Sequence, residues 1–445
     1  MSLRRIPPPP AVGNPLARRQ LLQAMASLTT VWAMPSLWAQ PAADDARHAG
    51  RLVLVFLRGA YDGLSALVPH GDAQYYALRS SIAIPKPDGT AQTALALDNT
   101  FALHPSLAPL MPLWKEGVLG VVPAAGSPDS TRSHFDAQHH WETGIPGKAG
   151  NSDGWMNGLA GLQSHARVRN AIDGGPSTAR GNAIAVGVGE ANPLILAGAS
   201  TVQRVPKGQA ATNQGALGNA RTREAVMSLY AGQDSLSRTF REGAESRSQT
   251  ATTLAMDNNP GTDNAVMLAA NNGAGPAQGL LLDAQHLGTL MRQNKRLRIG
   301  FLSAGGWDTH ANQGNVTGAL ANNLGNLAAT LAQLRRDFSQ PDDLVLVCSE
   351  FGRTCAENGT RGTDHGHGNA LWLMGNQVNG GRWHGAWDGL ASGNLHEGRD
   401  LPVRHDFRAV FAQALRVNQG LSVGELDKLF PGFAWDKSLD RLMRS

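Results

Sequence analysis

The stretch RLVLVFLRGAYDG, residues 51–63, decides the fold class. Leu52 to Leu57 is a continuous apolar run, too short for a buried helix and closed by Gly59, which reads as a strand buried on both faces of a parallel sheet. A polar segment, Arg58-Gly-Ala-Tyr-Asp62-Gly63, follows it directly. The same pairing of a buried run with a polar, glycine-rich tail recurs along the chain. Val118 to Val122 leads toward Ser130-Thr-Arg-Ser-His134, where Ser133 opens a helix running past Trp141. Leu297 to Leu302 leads to Gly305-Gly-Trp-Asp-Thr-His310, and Asp343 to Val347 leads to Ser349-Glu-Phe-Gly-Arg353. Ala370 to Met374 is preceded by Gly362-Thr-Asp-His-Gly-His-Gly368.

Helical spacing fills the intervals. It predicts helices over Gln278–Arg296, Thr317–Phe338, Asp406–Val417 and Val423–Phe430, and a proline-interrupted one over Leu103–Lys115. Strands alternating with helices predict an α/β fold: a doubly wound, mostly parallel sheet with helices on both faces. Residues 165–275 differ, being rich in Gly, Ala, Asn, Thr and Gln. With short strands at Ala183–Gly187 and Pro193–Ala197, a helix from Thr222 to about Ala255 and a loop over Asp257–Ala277, this region reads as an inserted cap.

Ahead of the sheet, Arg18 and Arg19 stand before a mildly apolar stretch from Leu21 to Ala39. Paired arginines, a weakly apolar core and a small residue at its end make a twin-arginine (Tat) signal over residues 1–39, with the working domain at 40–445. Pro35 and the polar residues argue against a membrane anchor. The expected destination is the periplasm or the exterior, with the Tat translocase as a transient partner. The signal holds four of the chain's 39 basic residues and no acid, so the remainder, with 35 acidic residues, is formally neutral. That balance leaves no nucleic-acid footprint, and no later segment is apolar enough to form a stable membrane span. Cys348 and Cys355 make no disulfide framework; they either pair once or stay as buried thiols.

In an open α/β sheet, ligands bind beyond the carboxyl ends of the strands. Asp62, Asp308, His310 and Glu350 follow such runs, and Asp364, His365 and His367 precede the fifth; together they are the candidate ligands for a divalent cation: zinc, manganese or calcium. Ser133 is the candidate nucleophile, with Arg132, Arg353 and His134 to meet developing anionic charge. Each motif also has a structural alternative: Asp62-Gly63 as a turn, Ser133 as a helix cap, Glu350 and Arg353 as an ion pair. The chain lacks an HExxH pair and a Walker loop. Gly420-Leu-Ser422-Val-Gly424 matches a nucleophile elbow on paper, but the segment before it reads as helix, so it is expected to be an interhelix turn capped by Ser422.

The motifs FLRGAYDGLS (56–65), RSHFDAQ (132–138), GWDTH (306–310), SEFGR (349–353) and GTDHG (362–366), with the closing DLPV (400–403), resemble the Tat-exported bacterial family catalogued as domain of unknown function 1501. The resemblance covers nearly all of the mature chain. It implies an alkaline phosphatase-like fold, since that family is grouped with the alkaline phosphatases and sulfatases, which are metal-dependent. It implies that Asp62 is similar to the first-strand metal aspartate, that Ser133 falls at the nucleophile position, and that Asp308 with His310 resembles the late metal pair. Glu350 stands where the superfamily has an Asp-His pair, and His365 or His367 resembles the final histidine. The late pair is Asp-x-His instead of Asp-x-x-x-His, so both a two-metal and a one-metal site stay open.

The expected function is therefore an exported hydrolase of phosphate or sulfate esters, acting on a small anionic ester or a sulfated or phosphorylated glycan. The rival readings are a non-catalytic periplasmic binding or assembly protein, and a carbohydrate-modifying enzyme that stacks sugars on Trp307, Trp372 or Trp383.

Overall fold

The computed structural model describes residues 50–147, 152–170, 183–191, 193–213, 215–255 and 275–444. The expected signal at 1–39 lies outside them. The sheet strands are β1 (Leu52–Leu57), β2 (Leu119–Gly126), β3 (Ala185–Gly189), β4 (Val202–Pro206), β5 (Ile299–Gly305), β6 (Leu344–Cys348) and β7 (Asn369–Gly375). The helices are α1 (His134–Thr143), α2 (Trp155–Asn170), α3 (Ala220–Leu229), α4 (Ser235–Ala255), α5 (Leu280–Gln293), α6 (Ala319–Asp337), α7 (Phe407–Asn418) and α8 (Val423–Leu429). The prolines between Leu103 and Lys115 break that expected helix into a 3-10 segment, Pro105–Leu110, and a single turn, Met111–Lys115.

The sheet runs β2-β7-β6-β1-β5-β3-β4, with the short strands Arg382–Trp383 and His405–Asp406 both against β2. The apolar run of residues 52–57 lies at its centre, parallel to β6 on one side and to β5 on the other. Its alternation divides the core. Leu52, Leu54 and Phe56 pack toward α2, α7 and α8, while Val53, Val55 and Leu57 pack toward α5 and α6. The fold is α/β with helices on both faces. Strand β7 is antiparallel to its neighbours β6 and β2. Its amino end therefore lies where the other strands have their carboxyl ends, and this reversal brings the loop 362–368 to the same edge as the other polar segments.

The region expected as a cap divides in two. Strands β3 and β4 extend the main sheet in parallel beyond β5, because the run at 185–189 is buried throughout. The second strand expected there, at 193–197, is a 3-10 turn over Leu194–Leu196 that follows Pro193, a residue with no N–H to give to a ladder. Helices α3 and α4 supply the helical part, and residues 256–274 lie outside the described ones. Both cysteines are buried free thiols. Ser422 caps α8 in a capping box with Glu425, which accounts for the Gly-x-Ser-x-Gly match. Among the described residues no helix is long and apolar enough to cross a membrane.

Two loops at the carboxyl edge are fused by backbone contact. Gly352 N–H donates to His367 O at 2.8 Å, and Gly366 N–H donates to Gly352 O at 2.9 Å. A Cβ on Gly352 would lie 1.8 Å from Gly368 O, a clash between two backbones that no rotamer relieves. Gly352→Ala is expected to lower the unfolding free energy by about 2–3 kcal/mol and to displace His365. Urea unfolding measures the first effect, and an unchanged midpoint would contradict it.

Candidate metal site

The strand ends bring three side chains to one point, with a fourth beside them: His134 at the start of α1, Asp308 after β5 and His365 before β7, with His310 at the edge. His134, Asp308 and His365 each offer a donor atom within 4.8 Å of the others. His134 Nε2 lies 3.1 Å from His365 Nε2 and 3.5 Å from Asp308 Oδ2, and His365 Nε2 lies 3.2 Å from Asp308 Oδ1. His310 joins at the solvent edge, with Nε2 at 2.9 Å from Asp308 Oδ1 and 3.1 Å from His365 Nε2.

Each imidazole is oriented by a bond from its other nitrogen. His134 Nδ1–H donates to Glu350 Oε1 at 2.8 Å, His310 Nδ1–H to Asp364 Oδ1 at 3.0 Å, and His365 Nδ1–H to the Arg132 carbonyl at 2.8 Å. A carbonyl or an ionised carboxylate only accepts, so the proton sits on Nδ1 in all three rings. Were all three rings neutral, Nε2 lone pairs would face one another at 3.1 Å, so the arrangement calls for a positive charge among them, either a proton on His134 or a bound cation. The orientation is that of metal-ligating histidines, whose second nitrogen is held by a carboxylate or a carbonyl. The separations are also close to the roughly 3.3 Å expected between ligand atoms of a tetrahedral ion with bonds of about 2.0–2.1 Å. The residues present thus fit a divalent cation.

Electrostatics around the cluster follow from burial and partners. Burial disfavours a charged His134, but its bonds and charge interactions with Asp308 and Glu350 prevail and bring it up to about 9. Burial opposes ionisation of Asp308 too, yet His134, His365 and Arg353 hold it well below the ordinary carboxylate range. Glu350 is buried, and burial pushes it up, but the His134 bond and charge and the Gln138 bond outweigh that and bring it down to about 2.

The sequence candidates divide accordingly. Asp308, His310 and His365 meet in the cluster. His134, expected to meet anionic charge, stands among the donors instead. Glu350, expected as a ligand, orients His134, and Asp364 orients His310. Asp62 is elsewhere: its buried carboxylate accepts from Arg79 Nη1 at 2.6 Å and Nη2 at 3.0 Å, from Ser65 Oγ at 2.7 Å and from Gln313 Nε2 at 2.7 Å, which uses its lone pairs. His367 stacks on His396, with ring centroids 4.7 Å apart. Arg353, expected to contact an anion, is buried, with Nη1 on Asp308 Oδ1 at 2.5 Å and Nε on Thr363 Oγ1 at 3.1 Å; it holds Asp308 in place. Ser133 is the N-cap of α1, its Oγ accepting from Asp136 N–H at 3.4 Å. Of the tryptophans expected to stack sugars, Trp307 and Trp372 are buried, and Trp383 is half-buried against Phe101.

Gln138 was missed as a site residue. Its Nε2 donates to Glu350 Oε1 at 2.9 Å and its Oε1 accepts from Arg58 Nη1 at 2.8 Å. The signal was present, because residues 134 and 138 are one helical turn apart and face the same way.

The raised His134 gives a pH dependence with a definite sign. In the metal-free protein the imidazole keeps its proton up to about pH 9, and a cation bound at Nε2 must displace it. Apparent metal affinity should therefore climb between about pH 6 and about pH 9, by up to about tenfold per unit, and level off above. Without metal the sign reverses: the stability His134 contributes is complete below about 6.5 and is lost as pH rises through about 9. Chelator-competition titrations across that range check the first statement, and a flat profile contradicts it.

Comparison with known proteins gives a match to a family model and likenesses to solved structures, among them two of an alkaline phosphatase. No curated protein matches the chain. The structure of alkaline phosphatase from the Antarctic bacterium TAB5 is 12% identical and covers 75% of this chain and 94% of its own, with a TM-score of 0.31. A histidine-to-aspartate mutant of the TAB5 alkaline phosphatase, with magnesium bound in its M3 site, is 12% identical and covers 88% and 99%, with a TM-score of 0.30. The model of the family described as "Protein of unknown function (DUF1501)" matches residues 49–430, from just before β1 to the end of α8, and the chain belongs to that family.

Proposed function

We propose that the protein is an exported, metal-dependent hydrolase of phosphate or sulfate esters. The observation that carries this reading is the common orientation of His134, His310 and His365, each with Nδ1 committed to an acceptor and Nε2 turned toward Asp308. Three imidazoles and one carboxylate suit zinc, or manganese less well; calcium prefers six to eight oxygens and is not favoured by this donor set. A divalent ion held by His134, Asp308 and His365, with His310 at the solvent edge, would supply Lewis-acid polarisation of an ester oxygen and, at a position left to solvent, a lowered pKa for a coordinated water. Export through the twin-arginine route belongs to the proposal and rests on residues 1–39.

The chain's own residues divide the remaining tasks. Glu350, Asp364 and the Arg132 carbonyl fix the ring orientations. Arg353 holds Asp308 ionised and immobile. The Arg132 side chain is 32% exposed beside His134, and its charge favours an anionic ester over a neutral one. Among the described residues Ser133 Oγ meets no imidazole or carboxylate, so attack by water is favoured over a serine nucleophile.

Purified mature protein should contain about one zinc or manganese per chain by elemental analysis and should hydrolyse members of an aryl phosphate and aryl sulfate panel. His310→Ala should lower metal content and reduce kcat/KM by about a hundredfold or more. Ser133→Ala should cost about 1 kcal/mol of stability as a lost cap and keep both metal and turnover, and Asp62→Asn should keep the metal while destabilising the fold. Absence of metal from the wild type overturns the reading. Metal without turnover on any ester would leave a binding protein in its place.

A further inference from the structure

Next to His365 lies a second charged arrangement, of which the ester reading uses only the charge of Arg132. Arg132 and Arg399 both reach residue His365: the Arg132 carbonyl holds its Nδ1, and Arg399 Nη2 donates to its carbonyl at 2.7 Å. Both guanidiniums also meet the fully buried carboxylate of Asp400. Arg399 gives Nε at 2.9 Å to Oδ1 and Nη2 at 3.2 Å to Oδ2, while Arg132 gives Nη2 at 2.7 Å and Nε at 3.2 Å to Oδ2. One acid therefore faces two arginines, which leaves positive charge over.

Glu397 takes up that excess. Its carboxylate accepts from Arg132 Nη2 at 2.5 Å and lies 3.8 Å from His396 Nε2, a buried atom with no hydrogen-bond partner. Yet Glu397 is poorly anchored. Its side chain is 58% exposed, and its backbone sits at φ +54, a region that non-glycine residues rarely adopt. An exposed ion pair of this kind is weak and exchanges readily. Asp400 would keep Arg132 in place after Glu397 had left.

We propose that Arg132, Arg399 and His396 form an anion subsite adjoining the metal, and that Glu397 occupies it as an internal stand-in for an acidic group of the substrate. The class of substrate is then an ester carrying a second oxyanion, a carboxylate or sulfate, beyond the bond that is cut. This deepens the ester-hydrolase reading and rests on it for the identity of the occupant. Binding of the substrate's acidic group swings Glu397 into solvent, with no bond made or broken.

The test titrates inorganic sulfate into the full-length mature protein and its variants by calorimetry. Glu397→Gln removes the competing charge from an exposed loop position and should tighten sulfate binding by about two- to fivefold. Adding Arg132→Lys, which keeps a cation for Asp400 but loses the planar fork, should reverse that gain. The same tightening should appear in a His310→Ala background, where the metal is lost, so failure of the metal reading and failure of the subsite are separable. Unchanged sulfate affinity in Glu397→Gln overturns the subsite, whatever the metal content.

Discussion

The carboxylate of Glu350 is the interaction on which the site depends. It is buried and ionised, a state that is costly unless every lone pair is met. Four donors meet it, Gly59 N–H at 2.8 Å, Ala60 N–H at 3.1 Å, Gln138 Nε2 at 2.9 Å and His134 Nδ1 at 2.8 Å, and the Ser349 hydroxyl, 2.8 Å away, shares its one proton between this carboxylate and the Leu57 carbonyl at 2.5 Å. These come from the turn after β1, from α1 and from the end of β6, so one charged group ties three elements together. The two backbone donors belong to residues at positive φ, Gly59 at +111 and Ala60 at +57, a turn held open by the acceptor it surrounds. Gly59 also passes close to the β5 loop, where a Cβ would lie 2.9 Å from Asp308 N.

Behind Glu350 the network continues into the sheet. Gln138 joins it to Arg58, whose buried guanidinium is met by Glu142 at 2.8 Å and by Glu190 at the end of β3. Burial pushes Glu190 upward against the pull of Arg58, and Ser303 on β5 donates to it at 2.8 Å. The clustered histidines thus stand at the outer end of a polar network that crosses the sheet edge. Such a network holds ligands rigidly when each member is satisfied.

Strands β1, β2, β5, β6 and β7 were legible in the sequence because each is an apolar run bordered by glycine or a polar motif, and the site's location followed from the motifs beside those runs; β4, with Gln203 and Arg204 inside it, carries no such run and was not. Asp308, His310 and His365 were legible for that reason. Other features were not. The direction of β7 is not encoded in its own residues, and the loop 362–368 reaches the site because that strand runs backward. Asp62 has a ligand's setting, but Arg79 lies in a segment of no regular pattern, and nothing in the spacing announces their pairing. Glu350 was read as a ligand and His134 as a group meeting anionic charge, since carboxylate and imidazole can both ligate and both orient, and only geometry separates the two. The region at 165–275 read as a separate unit by composition, whereas the buried pattern of β3 was the stronger signal and places that strand in the sheet.

The central claim is that three Nε2 atoms and one aspartate hold a cation while Glu350 and Asp62 do not. Anomalous diffraction from metal-soaked crystals tests it most directly. The account predicts one ion bound by Nε2 of His134, His310 and His365 and by an oxygen of Asp308, with the Glu350–His134 bond intact. An ion on Asp62 or Glu350, or one bound through Nδ1 of these rings, would contradict it.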